Sequence, residues 1–155
     1  MTTAQGPVAL VRKARDTLDA IPFSALILVA RIATFSVFFR SGLVKISDWS
    51  STLLLFQNEY HVPVLPPELA AYLAAGMELG ASTLVLLGLF TRVSTLGLMG
   101  MIAVIQLFVY PQAWPDHIQW LGFMVFIVAR GPGRISLDHV LGQIWGRQRA
   151  APARA

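Results

Sequence analysis

The stretch RIATFSVFFRSGLVKI (residues 31–46) decides the fold, because it places three cations in an apolar run that begins at Phe23. About 20 apolar residues cross the bilayer core of about 30 Å. Charges in such a helix are costly, so they face the interior of a bundle or reach toward the headgroups. At about 100° per residue, five residues share one face: Arg31, Phe35, Phe38, Gly42 and Lys45. We therefore expect this face to look into a helix bundle, with Arg40 contacting another neighbour or the outer headgroups.

The composition is that of a polytopic membrane protein. Of the 155 residues, 55% are hydrophobic and 13% are charged, whereas soluble domains carry about 25% charged residues. The net charge of +4 suggests nucleic acid, but the basic residues lie outside the apolar segments, so lipid headgroups are the expected partner. Cysteine is absent, which excludes disulfides, iron–sulfur clusters and thiolate zinc sites in this chain. Any redox role therefore uses another molecule's redox centre.

Long apolar runs predict an all-α integral membrane protein with a four-helix transmembrane bundle. The runs cover residues 23–46, 67–90, 93–110 and 115–129. The first three are long enough to cross a bilayer, whereas the fourth is short and could be re-entrant or interfacial. Trp114 and Trp120 at its start and Arg130 at its end supply anchors at both membrane boundaries, which favours a fourth span.

The distribution of cations predicts the orientation. Most of them fall on one side of the predicted bundle: Arg12, Lys13, Arg15, Arg92, Arg130, Arg134, Arg147, Arg149 and Arg154. Positive-inside bias then places both termini in the cytoplasm. A signal peptide is the alternative for the N-terminus, although Arg31 interrupts the apolar run and no small-x-small cleavage site follows.

Short interfacial helices are predicted at the N-terminus, in the first outer loop and after the fourth span. Near the N-terminus, apolar residues recur at helical spacing: Val8, Val11, Ala14, Leu18 and Ile21. Asp48 can cap the outer-loop helix, and Ser136 the last one. The chain thus divides into a cytoplasmic amphipathic segment (1–22), a transmembrane domain (23–130), a cytoplasmic interfacial helix (131–146) and a disordered basic tail (147–155).

Glu78 is the expected partner of Arg31. It lies in a stripe of small residues on the second span: Ala71, Ala74, Glu78, Ala81 and Gly88. Arg31 is about 12 Å above the inner boundary and Glu78 about 18 Å below the outer start of its helix, which gives nearly equal depth. We therefore predict a buried Arg31–Glu78 ion pair. Such a pair either fixes helix register or belongs to a functional site, and Glu78 could otherwise be protonated and hydrogen-bonded.

A second polar group is predicted near the outer boundary. Its members combine aromatic rings with hydrogen-bonding groups: Lys45, Gln106, Tyr110, His117 and Trp120. A quinone headgroup needs donors for its two carbonyls and a ring to stack on, so this group is a candidate quinone or ligand pocket. The alternative is an ordinary aromatic belt with a solvated histidine.

The histidines and the cytoplasmic face give two further expectations. The three histidines, His61, His117 and His139, are far apart, and the last is predicted across the bilayer, so no metal site is expected. At the cytoplasmic face, four residues form a candidate motif: Arg92, Arg130, Ser136 and Asp138. A capped interfacial helix explains the SLD sequence (residues 136–138) without any chemistry.

The order of these motifs resembles that of the DoxX family of small four-helix bacterial membrane proteins. The resemblance rests on Arg31 followed by SGLVK (41–45), MELGASTLVLLGLFTR (77–92), YPQAWPDHIQW (110–120) and RGPGRISLDHVL (130–141). It runs from about Leu26 to Leu141. It implies that ten residues occupy family motif positions: Arg31, Gly42, Lys45, Glu78, Gly88, Arg92, Gly131, Gly133, Ser136 and Asp138. Arg40 and His61 depart from the family pattern.

The resemblance implies an inner-membrane subunit or anchor of an oxidoreductase system that presents quinone and has no redox centre of its own. Such a chain is an accessory subunit, not catalytic alone, with a redox protein as partner, no covalently bound cofactor and a homo-oligomer as a further option. The alternative is a small solute transporter or lipid-binding bundle whose intramembrane charges line a solute path.

Overall fold

The computed structural model describes residues 6–60 and 62–150, with side chains up to residue 145. In this part of the chain the helices are α1 (Pro7–Asp19), α2 (Phe23–Ser47), α3 (Trp49–Asn58), α4 (Pro67–Leu87), α5 (Thr91–Val109), α6 (Trp114–Arg130) and α7 (Leu137–Ala150). A short 3₁₀ turn, Pro111–Ala113, joins α5 to α6. His61 and the last five residues of the predicted tail lie outside the described residues.

Helices α2, α4, α5 and α6 pack side by side as one bundle, as the apolar runs predict. The core between them contains fully buried apolar side chains: Ile27, Val85, Leu98, Ile102, Met124 and Ile127. By length and composition, three of the described helices can cross a membrane, namely α2, α4 and α5. Helix α6 has 17 residues, or about 26 Å at 1.5 Å per residue, slightly less than the bilayer core. The fourth span therefore stays a prediction.

The outer surface of the bundle is apolar. Val29 on α2 is 64% exposed, and Val93 and Leu107, near the two ends of α5, are 72% and 67% exposed. A soluble protein rarely leaves contiguous apolar surface of this kind in water. The exposed side chains therefore face lipid, and the chain is a multi-pass membrane protein.

Helices are present at the three flanking positions where interfacial helices are predicted, and their location at the membrane interface stays a prediction. Helix α1 forms with no buried residue, and Asp48 caps α3 by accepting a hydrogen bond of 3.0 Å from the backbone N–H of Ser51. Helix α7 continues to Ala150, so the predicted disordered tail is wrong for residues 147–150. Arg, Gln and Ala have high helix propensity, and cations are favourable near a helix C-terminus, which accounts for the extension.

Two helices contain a π-helical turn near the outer half of the bundle. One turn covers Met77–Ala81 in α4 and the other Ile105–Val109 in α5. Such turns are rare and occur frequently at functional sites. The first carries Glu78, so the turn determines where this carboxyl group points.

The cation asymmetry makes the orientation testable. Asn58 at the end of α3 is predicted outside and Gly142 in α7 inside, and both positions are exposed. Because the chain has no cysteine, Asn58→Cys and Gly142→Cys each give a single labelling site. In intact cells a membrane-impermeant maleimide should label only the first, with the second labelled after permeabilisation. Labelling of Gly142→Cys in intact cells would contradict the N-in, C-in topology.

Candidate functional site

Arg31 lies at the predicted cytoplasmic end of the bundle core and is 2% exposed. Its Nε donates to the carbonyl of Val85 at 2.8 Å, and an Nη donates to the carbonyl of Leu86. The other Nη donates to the carbonyls of Pro132, at 3.1 Å, and Ile135. The last carbonyls of a helix have no partner within the helix. Arg31 therefore caps the C-terminus of α4 and ties it to the loop between α6 and α7.

The predicted Arg31–Glu78 ion pair is wrong, although both residues are buried as expected. Glu78 instead pairs with Lys45, whose Nζ lies 2.8 Å from Oε1. The reason is side-chain direction. In a helix, side chains lean toward the N-terminus, so Arg31 and Lys45 both reach toward the N-terminal end of α2 from their own Cα atoms. Lys45 thus comes down to the level of Glu78, and Arg31 reaches below it.

Asp138 joins the start of α7 to the start of α5. Its carboxylate accepts hydrogen bonds from the backbone N–H groups of Phe90, at 2.8 Å, and Thr91, at 3.0 Å, and from the Thr91 hydroxyl at 2.7 Å. Burial has the largest single influence and raises the pKa of Asp138, but the hydrogen bonds from Thr91 and Phe90 and the charge of Arg31 together hold it below its ordinary value. Asp138 therefore acts as an N-terminal cap for a neighbouring helix.

Ser136 and Gly88 also contribute to the contacts between the end of α4 and the start of α7. The Ser136 hydroxyl accepts a hydrogen bond of 3.2 Å from the N–H of His139, so the predicted cap of α7 is confirmed. Gly88 ends α4 with φ of +70°, and a Cβ there would lie 2.5 Å from the Cβ of Ser136 and 2.6 Å from an Nη of Arg31. Only glycine fits this position, both for its backbone conformation and for its neighbours.

The two remaining residues of the predicted cytoplasmic motif also make structural contacts. Arg92 donates from Nε to the carbonyl of Val128 at 3.0 Å. Arg130 lies over the ring of Phe23, with 5.5 Å between its guanidinium carbon and the ring centroid. Arg31, Asp138, Arg92 and Arg130 thus hold helix ends in contact with their neighbours. This agrees with the interpretation of the SLD sequence (136–138) as a helix cap without any chemistry.

Replacing Asp138 by asparagine should reduce stability at neutral pH by about 1 to 2 kcal/mol, because both carboxylate oxygens accept hydrogen bonds and an amide nitrogen cannot. A carboxylate with a depressed pKa stabilises the fold above its unfolded pKa of about 3.9, and that contribution is lost as pH falls through the folded value. The difference in unfolding free energy between the wild type and Asp138→Asn in detergent should therefore shrink as pH falls from 6 to 3. A difference that is constant with pH would contradict this role.

The Lys45–Glu78 pair belongs to a second polar cluster in the outer half of the bundle. The side chain of Glu78 is 4% exposed and that of Lys45 17%. Ser41, one turn before Lys45, donates to Glu78 Oε1 at 3.0 Å and accepts from Lys45 Nζ at 3.1 Å. Glu78 is therefore shielded from solvent, whereas Lys45 lies closer to the surface of the bundle.

This cluster lines a cavity of about 700 Å³ between α2, α3, α4, α5 and α6. Its wall is mostly apolar, and five of its polar residues come from different parts of the sequence: Arg40, Lys45, Glu78, Tyr110 and His117. Trp120 adds an aromatic wall. Known ligand sites have volumes of about 300 to 1,000 Å³, with apolar walls and few polar groups, so the cavity has the size and chemistry of such a site.

The predicted outer pocket is largely brought together here. Lys45, Tyr110, His117 and Trp120 line the cavity. Gln106 lies behind His117, since its Oε1 is 2.6 Å from His117 Nδ1, while its amide nitrogen donates to the carbonyl of Pro111. The histidine is 3% exposed, which disagrees with the alternative of a solvated belt histidine.

Sequence reasoning missed two features of these sites. Ser41 precedes Lys45 by four residues, a spacing at which two helical side chains meet, so this contact had a sequence signal. The carbonyl partners of Arg31 had none, because every residue carries a carbonyl and only the tertiary fold selects which four meet the guanidinium. Within the described residues no group of three or more metal-binding side chains comes together.

Comparison with known sequences gives a family. The sequence model of DoxX matches residues 26–111, which is more than half of the chain. This chain belongs to the DoxX family. DoxX is a membrane family generally associated with oxidoreductases. Searches of curated proteins and of solved structures found no match. The matched segment includes Arg31, Lys45 and Glu78, whereas Asp138 lies beyond it.

Proposed function

We propose that this DoxX protein is a bacterial inner-membrane subunit or anchor of an oxidoreductase system and presents quinone to a redox partner protein. The observation that carries the proposal is the outer cavity of about 700 Å³. It combines aromatic and aliphatic walls with a few polar groups, as a quinone headgroup and its first isoprene units require. The family's general association with oxidoreductases supports the same reading.

The absence of cysteine assigns the electron-transfer chemistry to a partner. Quinone itself carries electrons, so the chain's task is to hold the ring and exclude competing reactions. Its own residues would orient the headgroup through Lys45 and His117 and stack it near Trp120, all of which line the cavity. Catalysis by this chain alone is not proposed.

A solute transporter needs a path through the bundle, which makes it the weaker alternative. Toward the Arg31 end of the bundle the core contains Ile27, Val85 and Ile127, each 0% exposed, and none of them lines the cavity. At the cytoplasmic end, Arg31 and Asp138 fasten the helix ends with hydrogen bonds. This packing favours a ligand pocket over a path between the two sides of the membrane.

Native mass spectrometry of the protein extracted in mild detergent tests the proposal. A retained quinone or a co-purified redox subunit supports it. Solute flux through the purified protein in liposomes, with neither quinone nor partner retained, would favour the transporter alternative. The same spectra report whether the protein forms a homo-oligomer.

Filling the cavity should abolish quinone retention without unfolding the protein. Gly100 lines the cavity, and a Cβ added there meets no atom within 4 Å. Leucine at this position adds a side chain in the cavity wall and has a higher helix propensity than glycine. We expect Gly100→Leu to lower retained quinone at least about tenfold, or about 1.4 kcal/mol.

The matched control is Gly122→Leu on α6, since Gly122 also has open space around it and does not line the cavity. It should retain quinone like the wild type. Equal retention by both variants would show that any bound quinone lies outside this cavity.

A further inference from the structure

One oxygen of Glu78 remains without a partner inside the cavity wall. Glu78 is 3% exposed, and its Oε1 receives hydrogen bonds from Lys45 and Ser41. Within the described part of the chain, Oε2 is buried and accepts no hydrogen bond. Buried polar atoms nearly always have a partner, so Oε2 is suited to a ligand that donates a hydrogen. The ammonium of Lys45 at 2.8 Å favours the carboxylate, which accepts only.

His117 offers a second acceptor to the same cavity. Its Nδ1 faces Oε1 of Gln106 at 2.6 Å. The Gln106 amide nitrogen donates to the Pro111 carbonyl, which fixes the oxygen toward the histidine. Because an amide oxygen can only accept, Nδ1 carries the hydrogen, and Nε2 of the neutral ring is an acceptor. Both deep polar groups of the cavity therefore accept.

The hydroxyl hydrogens of Ser41, Tyr60 and Tyr110 and two hydrogens of Lys45 are already used at the cavity wall. Tyr110 donates its hydroxyl hydrogen to Glu59 at 2.7 Å, so the 3.3 Å contact with Tyr60 uses the hydrogen of Tyr60. Ser41 donates to Glu78. Lys45 directs two of its three hydrogens to Ser41 and Glu78. The third hydrogen of Lys45 remains free for a ligand, and the less buried part of the lining adds two further donors, the guanidinium of Arg40 and the indole N–H of Trp120.

From this arrangement we infer that the cavity binds the reduced, dihydroxy form of the ligand, a quinol, in preference to the oxidised quinone. One phenolic hydroxyl donates to Oε2 of Glu78 and accepts the remaining hydrogen of Lys45, and the other donates to Nε2 of His117. A quinone has only acceptor oxygens and leaves Oε2 and Nε2 unpaired. The inference rests on the proposed function and specifies its ligand as the reduced form.

Titration calorimetry on the full chain in detergent micelles, with protein-free micelles as blank, tests this preference. Three probes are compared: a decyl-substituted benzoquinone, its quinol kept reduced with dithionite without oxygen, and the dimethyl ether of that quinol. Reductant leaves the protein unchanged because it has no cysteine. The quinol should bind at least tenfold more tightly than either other probe. The ether matters because it keeps the ring and removes both hydrogen donors.

Glu78→Gln should reverse the preference. While Lys45 still donates to the amide oxygen, the amide nitrogen takes the place of Oε2 and donates into the cavity. The quinol-to-quinone affinity ratio should fall to about one or below. Glu68→Gln is the matched control, because Glu68 is exposed on the first turn of the same helix and does not line the cavity. It should keep the wild-type ratio.

His117→Leu provides a second test should Glu78→Gln not fold. It removes the other acceptor, so quinol affinity should fall while quinone affinity changes less. Equal wild-type affinity for quinol and quinone, or for quinol and ether, overturns the preference and leaves quinone presentation intact. An unchanged ratio in the folded variants overturns it as well. If none of the three probes binds, the preference and quinone presentation fail together, and only the role as an oxidoreductase subunit or anchor is left.

Discussion

Replacing Arg31 by leucine should destabilise the protein by about 3 kcal/mol or more. The substitution removes the donor to four carbonyls, of which those of Val85 and Leu86 lie within the bundle. A buried acceptor that loses its partner costs about 1 to 3 kcal/mol, and hydrogen bonds to charged groups are the stronger kind. The loss should also free the loop at Pro132 and Ile135. Reversible unfolding in mixed micelles gives the free energy directly.

Arg130→Leu is the control for removing an arginine near the same boundary. Arg130 is exposed and contacts only the face of the Phe23 ring among the described contacts. A cation–π contact of this kind contributes about 0.5 to 1 kcal/mol at an exposed site. If Arg31→Leu lowers the free energy of unfolding no more than Arg130→Leu, the hydrogen bonds of the Arg31 guanidinium do not hold this end of the bundle together.

The second large effect is coupling between Lys45 and Glu78. Lys45→Met leaves a carboxylate buried without its counter-charge and should cost about 3 kcal/mol. Glu78→Gln should cost less, about 1 kcal/mol, because the Lys45 side chain is 17% exposed and can reach the boundary. The double variant buries no charge. It should therefore recover about 1.5 kcal/mol or more of the summed losses.

A second cycle, with Arg31→Leu and Glu78→Gln, distinguishes the two possible partners of Glu78. The guanidinium of Arg31 contacts backbone carbonyls, so the two losses should add to within about 0.5 kcal/mol. If the Arg31 and Glu78 losses are coupled and the Lys45 and Glu78 losses simply add, the partner of Glu78 is Arg31, as depth alone predicts.

Much of the fold follows from periodicity and length. The apolar runs predict the four long helices because a bilayer requires about 20 apolar residues per crossing. The caps at Asp48 and Ser136 are local, since each side chain bonds to an N–H three residues later. The inward face of α2 follows from helical geometry, with Arg31, Phe38 and Gly42 buried together.

The candidate cavity was predicted in part. Residues near one membrane boundary must lie at similar depth, and for that reason the sequence grouped Lys45, Tyr110, His117 and Trp120. Depth counted along Cα atoms alone places Glu78 in a different group, with Arg31. Lys45 contacts Glu78 because the lysine side chain is long and points toward the N-terminal end of α2. No sequence pattern indicates how far that side chain extends.

The sequence by itself determined a membrane-spanning, cysteine-free helical chain with two buried charges, because composition, periodicity and local caps act within a few residues of one another. The tertiary structure alone decided the partners of those charges. Arg31 meets the carbonyls of α4 and of the loop after α6, and Glu78 meets Lys45. The physical reason is that a charge in a low-dielectric bundle takes whichever polar atom its side chain reaches, and that reach depends on how helices distant in sequence are packed.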